Sequence, residues 1–214
     1  MRRAVTQRRR VRWPIIAADL ADAGPGHVFL AGDSHAELLG VPDFGLPIVN
    51  AGIGGIETAD YARDLQRLDR RPRAAVAVLL IGSNDTHRVR RPASARRRRS
   101  FAATIYALIE QLRAHSDVVL VTAIPPVGPP MAEYRDLSAA TEYSAMLKAV
   151  SVKCGCVFID PFAHLRGQLP ALAAPDAQMD PLGVHLADYS VLARALAPAI
   201  EAASTDGSRS GPFA

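Results

Sequence analysis

Five short apolar runs punctuate the chain, separated by longer stretches with helical periodicity. The runs are Val28–Ala31, Pro47–Asn50, Ala75–Ile81, Val118–Ala123 and Cys156–Asp160. The last three are rich in Val, Leu and Ile and do not alternate with polar residues. A strand that is apolar on both faces is buried on both faces, which marks a parallel sheet covered by helices. The segments between carry the other period. Tyr61, Leu65 and Leu68 fall at helical spacing within Thr58–Leu68, and Phe101, Ile105, Leu108, Ile109 and Leu112 form a stripe along Phe101–Leu112. Leu137–Val150 and Tyr189–Ile200 read as two further helices, with Pro198 expected to kink or shorten the second. Strand and helix thus alternate from residue 28 onward, the pattern of a doubly wound α/β sheet with helices in layers on both faces. The expected organisation is a basic arm or extra helix over residues 1–24, one domain over 25–205 and a flexible tail over 206–214.

Composition narrows this picture without redrawing it. A chain of 214 residues fits one domain, and a hydrophobic fraction of 49% supplies a core for it. The densest apolar stretch, Ala74–Ile81, is far too short to span a bilayer, so no membrane span is expected. Trp13–Ala18 is too short and too interrupted for a secretory signal, and cytoplasmic residence is the expectation. The net charge of +4 comes almost wholly from arginine. The clusters Arg8–Arg12 and Arg96–Arg99 lack the interleaved aromatics of a nucleic-acid surface. They read as solvated segments, so no nucleic-acid partner is expected, although a weak pull on anionic substrates stays open. Cys154 and Cys156 make neither a disulfide framework nor a metal site, and read as small apolar residues entering a strand. No cofactor and no metal are expected.

In such folds chemistry gathers in the loops after the carboxyl ends of the strands. Four of these loops carry unusual polar residues. Gly32-Asp33-Ser34-His35 follows the first run, and Ser34 there is either a nucleophile or the N-cap of the next helix. Asn50-Ala51-Gly52-Ile53-Gly54-Gly55 follows the second, where glycines let a backbone N–H approach a ligand; no Gly-Lys-Ser/Thr follows to make it a P-loop. Gly82-Ser83-Asn84-Asp85 follows the third and offers an amide donor, or simply a turn. Asp180-Pro181-Leu182-Gly183-Val184-His185 follows the fifth, and His185 is a natural general base for a serine.

In this order, these four segments resemble the SGNH hydrolases, also called GDSL-type lipases and esterases, over about Val28 to Ile200. The resemblance implies a flavodoxin-like sheet of five parallel strands between helices. It also implies that Ser34 attacks an ester carbonyl, that His185 takes its proton, and that the N–H groups of Ser34 and Gly55 with the Asn84 amide hold the oxyanion. Asp33 and Asp85 are expected to brace their loops. One departure stands out. The family usually places its acid three residues before the histidine, where this chain has Leu182, so Asp180 is the expected orienting acid, ahead of Asp176 and Asp188. His87 and Val127, the latter in the stiff Ile124–Met131 loop, are possible substrate contacts. The implied function is hydrolysis of short acyl or acetyl esters of small molecules or carbohydrates through an acyl-enzyme. An acyl or acetyl transferase, a carbohydrate O-acetylesterase and a catalytically dead binding module are the alternatives, and oligomeric state stays open.

Overall fold

The computed structural model describes residues 2–70 and 72–209. In chain order the elements are α1 (Arg2–Ala23), β1 (Val28–Gly32), α2 (Ser34–Leu39), β2 (Ile48–Gly52), α3 (Thr58–Leu65), β3 (Ala74–Leu80), α4 (Ala95–Arg113), β4 (Ser116–Thr122), α5 (Leu137–Lys153), β5 (Val157–Ile159) and α6 (Ser190–Arg209). The five strands form one parallel sheet in the order β2-β1-β3-β4-β5. This is the layered parallel sheet expected from the apolar runs, in the flavodoxin-like form that the family resemblance implies.

The two faces bury different helices. Phe29, Ala31, Ala77 and Leu79 pack with Ile16 and Leu20 of α1, Tyr61 and Leu65 of α3, Ile105 and Leu108 of α4, and Tyr143 and Leu147 of α5. Their sheet neighbours Val28, Leu30, Val76 and Val78 point the other way, against Ala36 and Leu39 of α2 and Leu192, Leu196 and Ile200 of α6. The chain leaves β1 toward one sheet edge and returns to add β3 on the other side. The crevice between the carboxyl ends of β1 and β3 is therefore the topological switch point, where ligands bind in such folds. Gly32 makes the exit from β1 possible. Its φ is +148°, and a Cβ there would lie 1.8 Å from the Leu80 carbonyl oxygen.

The structure corrects several expectations. α4 starts at Ala95, six residues before Phe101, because Ser94 caps it and accepts the Arg97 N–H at 3.3 Å. Arg96–Arg99 is thus the first turn of a helix, too far from the core to show in the apolar stripe. α6 passes through Pro198 and runs to Arg209, so the tail does not begin at 206. Burial of Leu192, Leu196 and Ile200 holds α6 across the proline, and the Ser204 and Thr205 hydroxyls bond back to the Glu201 carbonyl. Residues 210–214 lie outside those described.

Arg8–Arg12 is not simply a solvated segment either. Arg8 chelates Glu37 at 2.8–3.0 Å, Arg9 makes two bonds of 2.7 Å to Asp64, and Arg12 donates to the carbonyls of Asn50 and Gly52. These bidentate pairs fasten α1 to the β2 side of the sheet. No helix among the described residues is long and apolar enough to cross a membrane.

Candidate active site

Ser34 is the first residue of α2, and the helix N-cap is its neighbour Asp33, whose carboxylate accepts the His35 N–H at 3.0 Å. That leaves the Ser34 hydroxyl free of a capping role. Its Oγ lies 3.0 Å from Nε2 of His185. The chain positions separating these two groups, 151 in all, are bridged because the loop before α6 folds over the β1 exit.

Nδ1 of His185 faces Asp180 Oδ2 at 3.4 Å. The other oxygen of Asp180 accepts the N–H groups of Val184 (2.8 Å) and His185 (3.3 Å), while the Asp180 N–H donates to the His185 carbonyl at 2.8 Å. The Asp180–His185 segment is thus a closed turn that folds the acid back under its histidine, helped by Gly183 at φ +68°. Leu182, at the position where the resemblance puts the acid, is 66% exposed. Partial burial works against the Asp180 charge, but the Val184 and His185 N–H groups and the His185 ring outweigh it and hold the carboxyl below the usual carboxylate range.

The other two loops meet the same crevice. Gly55 follows β2 at φ +78°. The Gly54 N–H donates to Glu37 at 2.5 Å, so the Arg8–Glu37 pair also anchors the peptide just before Gly55. Asn84 sits in a short 3₁₀ turn after β3 and spends one amide proton on the Ile56 carbonyl at 3.1 Å, which leaves the second for a ligand. Asp85 accepts the Thr58 N–H and hydroxyl at 3.0 and 2.7 Å and so joins the third loop to the start of α3. Asp33 accepts the Ser83 hydroxyl at 2.6 Å and joins the first loop to the third. Burial pushes the Asp85 carboxyl up to about 7 despite its two donors.

His87 forms a single antiparallel bridge with Arg135. Val127 bridges Leu172, and Gly128 N–H donates to the Gly183 carbonyl at 2.8 Å, so the proline-rich loop backs onto the histidine loop. Val127 lines a small cavity with His35 and Val184.

Three supporting groups escaped sequence reasoning. His35 is buried, 5.3 Å ring to ring from His185, and shares a 3.0 Å hydrogen bond with the Tyr189 hydroxyl. Arg135 is buried and donates to the Ser83 carbonyl. Glu37 holds both Arg8 and the Gly54 N–H. All three depend on partners far away in sequence, and no local pattern reports them.

Burial pushes the His35 imidazole down to about 4, with Asp33 acting against it and the neighbouring His185 and Arg135 in the same direction. A base whose folded pKa is depressed stabilises the protein above its unfolded pKa of about 6.5, and that contribution is lost as pH falls toward 4. The loss amounts to about 3 kcal/mol. In urea titrations at pH 7 and 4.5, His35→Gln is expected to be less stable at pH 7 but to lose less on acidification. An equal pH dependence in both proteins would refute this assignment.

A parallel α/β/α fold with a serine hydroxyl beside an imidazole at its switch point fits a carboxylic ester hydrolase. The chain belongs to the GDSL-like lipase/acylhydrolase family, whose model matches residues 15–189. Solved structures share the fold at low identity. A Streptococcus pneumonia protein described as a candidate platelet activating factor superposes with a TM-score of 0.75 at 18% identity, covering 93% of this chain and 95% of that one. A GDSL-like lipase from Bacteroides thetaiotaomicron gives 0.68 at 21% identity, covering 87% and 95%. An acetylxylan esterase from Geobacillus stearothermophilus gives 0.57 at 19%, covering 83% and 95%. No curated protein matches the chain in sequence.

Proposed function

We propose that the protein hydrolyses short acyl esters, acetyl esters foremost, through an acyl-enzyme on Ser34. The observation that carries this reading is the 3.0 Å approach of Ser34 Oγ to His185 Nε2 at the start of a helix. His185 takes the hydroxyl proton as Ser34 attacks the carbonyl, then returns it to the leaving alkoxide. Asp180 orients the ring and stabilises its charged form. The tetrahedral oxyanion is held by the N–H groups of Ser34 and Gly55 and the free amide proton of Asn84. Water, activated by the same histidine, then releases the acid.

The test is a panel of acyl esters of rising chain length, with acetylated sugars included, run beside labelling by a fluorophosphonate. Hydrolysis of the short esters with labelling at Ser34 is the expected result. No labelling would favour a binding module, and transfer of the acyl group to an added alcohol in place of water would favour a transferase. Asn84→Ala is expected to lower kcat about 10²–10³-fold with little change in KM, the usual cost of one oxyanion donor. A kcat within twofold of the parent would remove Asn84 from that role.

A further inference from the structure

The helix that begins at Ser34 and the loop that ends at Gly55 are tied together by more than the sheet. The backbone of α2 lies directly against the end of β2. A Cβ at Gly52 would lie 2.0 Å from the Glu37 nitrogen, so only a glycine allows this approach. The Asn50 amide of β2 donates to the carbonyls of Ala36 at 2.8 Å and Gly40 at 2.6 Å, and so satisfies the end of α2. Glu37, one turn after Ser34, accepts the Gly54 N–H at 2.5 Å. One side chain of α2 thus fixes the peptide next to Gly55.

Glu37 is itself held from the far side, by α1. Arg8 forms a bidentate pair with it, and Arg12 Nε stands 3.8 Å from the same carboxylate while Arg12 donates to the carbonyls of Asn50 and Gly52. The Glu37 side chain is only 14% exposed, so its carboxylate faces protein donors more than water. α1 also touches the loop directly. A Cβ at Gly54 would lie 3.0 Å from Arg8 Nε and from Glu37 Oε2, and one at Gly55 would lie 2.9 Å from Val5 Cγ2. Arg8 and Arg12 both precede residues 15–189, the span that the family model matches. The loop has need of such a brace. Glycines at 52, 54 and 55 leave its backbone many conformations, whereas an oxyanion donor works only at about 2.7–3.1 Å from its target.

We infer that Glu37 is a positioning residue for the reaction: with Arg8 and Arg12 of α1 it holds the Gly54–Gly55 peptide in register with the Ser34 N–H, so that both donors meet the oxyanion together. α1 is then part of the working site and not an appended arm. The inference rests on the esterase reading, with Gly55 as a donor, and adds what sets that donor's place.

The test measures kcat and KM for a short aryl ester, per site titrated with a fluorophosphonate. Beside them it measures the Ki of a short alkyl trifluoromethyl ketone, whose adduct with a serine carries the oxyanion. Glu37→Ala removes the acceptor of the Gly54 N–H. Its kcat is expected to fall about tenfold or more with KM within twofold, and its ketone Ki to rise by a similar factor. Glu37→Gln keeps an oxygen for that N–H and is expected to recover about threefold or more of the loss. Arg8→Gln leaves the bond but frees its anchor, and should lower kcat about threefold or more at unchanged KM. A role in folding alone would lower the melting temperature and the titrated fraction, and would move neither kcat per site nor Ki. A kcat and a Ki within twofold of the parent in Glu37→Ala overturn the inference, and where that variant does not fold, the same result in Arg8→Gln overturns it. Asn84→Ala, run alongside, separates the two readings. If it loses kcat and ketone affinity while the Glu37 and Arg8 variants do not, the oxyanion reading stands and the brace falls. A parent that neither cleaves an ester nor takes the label ends the esterase reading, and this inference with it.

Discussion

Ser34→Ala is expected to lower kcat on a short aryl ester by about 10⁶-fold, leaving only what the oxyanion donors and substrate binding contribute. The substitution removes the single oxygen that His185 addresses, and with it the acyl-enzyme. It should cost little stability. Asp33, not Ser34, caps α2, and the buried residues of that helix are His35, Ala36 and Leu39. A normal thermal melt together with lost turnover and lost fluorophosphonate labelling is therefore the expected outcome. His185→Ala should cost about as much, and the double variant little more, because the pair acts as one unit. Turnover near the parent level in either single variant would dismiss Ser34 as nucleophile.

The second large effect concerns the acid. Asp180→Asn is expected to reduce kcat by about 10³–10⁴-fold, the order seen when a triad acid is made neutral without disturbing its geometry. The asparagine oxygen can still accept the Val184 and His185 N–H groups that close the turn, so the loop keeps its path. What is lost is the charge opposite Nδ1 of His185 at 3.4 Å, and with it the preferred tautomer and the support of the imidazolium. Leu182→Ala serves as the control. That side chain is 66% exposed, and its truncation should leave kcat within about threefold. The ranking of the two variants is the measurement that matters. A larger loss from Leu182→Ala than from Asp180→Asn would mean that Asp180 only shapes the turn.

Most of the fold was legible before any coordinate was known. Ala75–Ile81 and Val118–Ala123 announce themselves as buried strands, because a residue's neighbours in sequence are enough to show that both faces are apolar; Cys156–Asp160 reads the same way, but β5 lies at the sheet edge and leaves Val157 exposed. The stripes of α3 and α4 were equally plain where they touch the sheet. The errors fall where an element leaves the core. The arginine turn of α4 is held by a cap and not by burial, and the last turns of α6 carry little of the apolar signal.

The site divides in the same way. Ser34, Gly55 and Asn84 sit in short polar turns after apolar strands and His185 in a turn well beyond the fifth; each is ambiguous alone, and it is their order along the chain, through the family resemblance, that assigns them roles. That Asp33 rather than Ser34 is the cap could not be read, since both residue types suit that position.

By itself, then, the sequence determined the alternation of strand and helix, the parallel sheet and the four turns that converge on its switch point. These follow from periods and turn residues that act over a few positions. Only the tertiary structure decided how Asp180 reaches His185 despite Leu182, where His35 and Arg135 are buried, and that Arg8, Arg9 and Arg12 fasten α1 against the β2 side. Each of those outcomes depends on the path of a loop or on a partner that is remote along the chain, such as the 29 positions between Arg8 and Glu37 or the 52 between Arg135 and Ser83. Such pairings are set by how the helices pack on the sheet, so they exist only once the chain has folded.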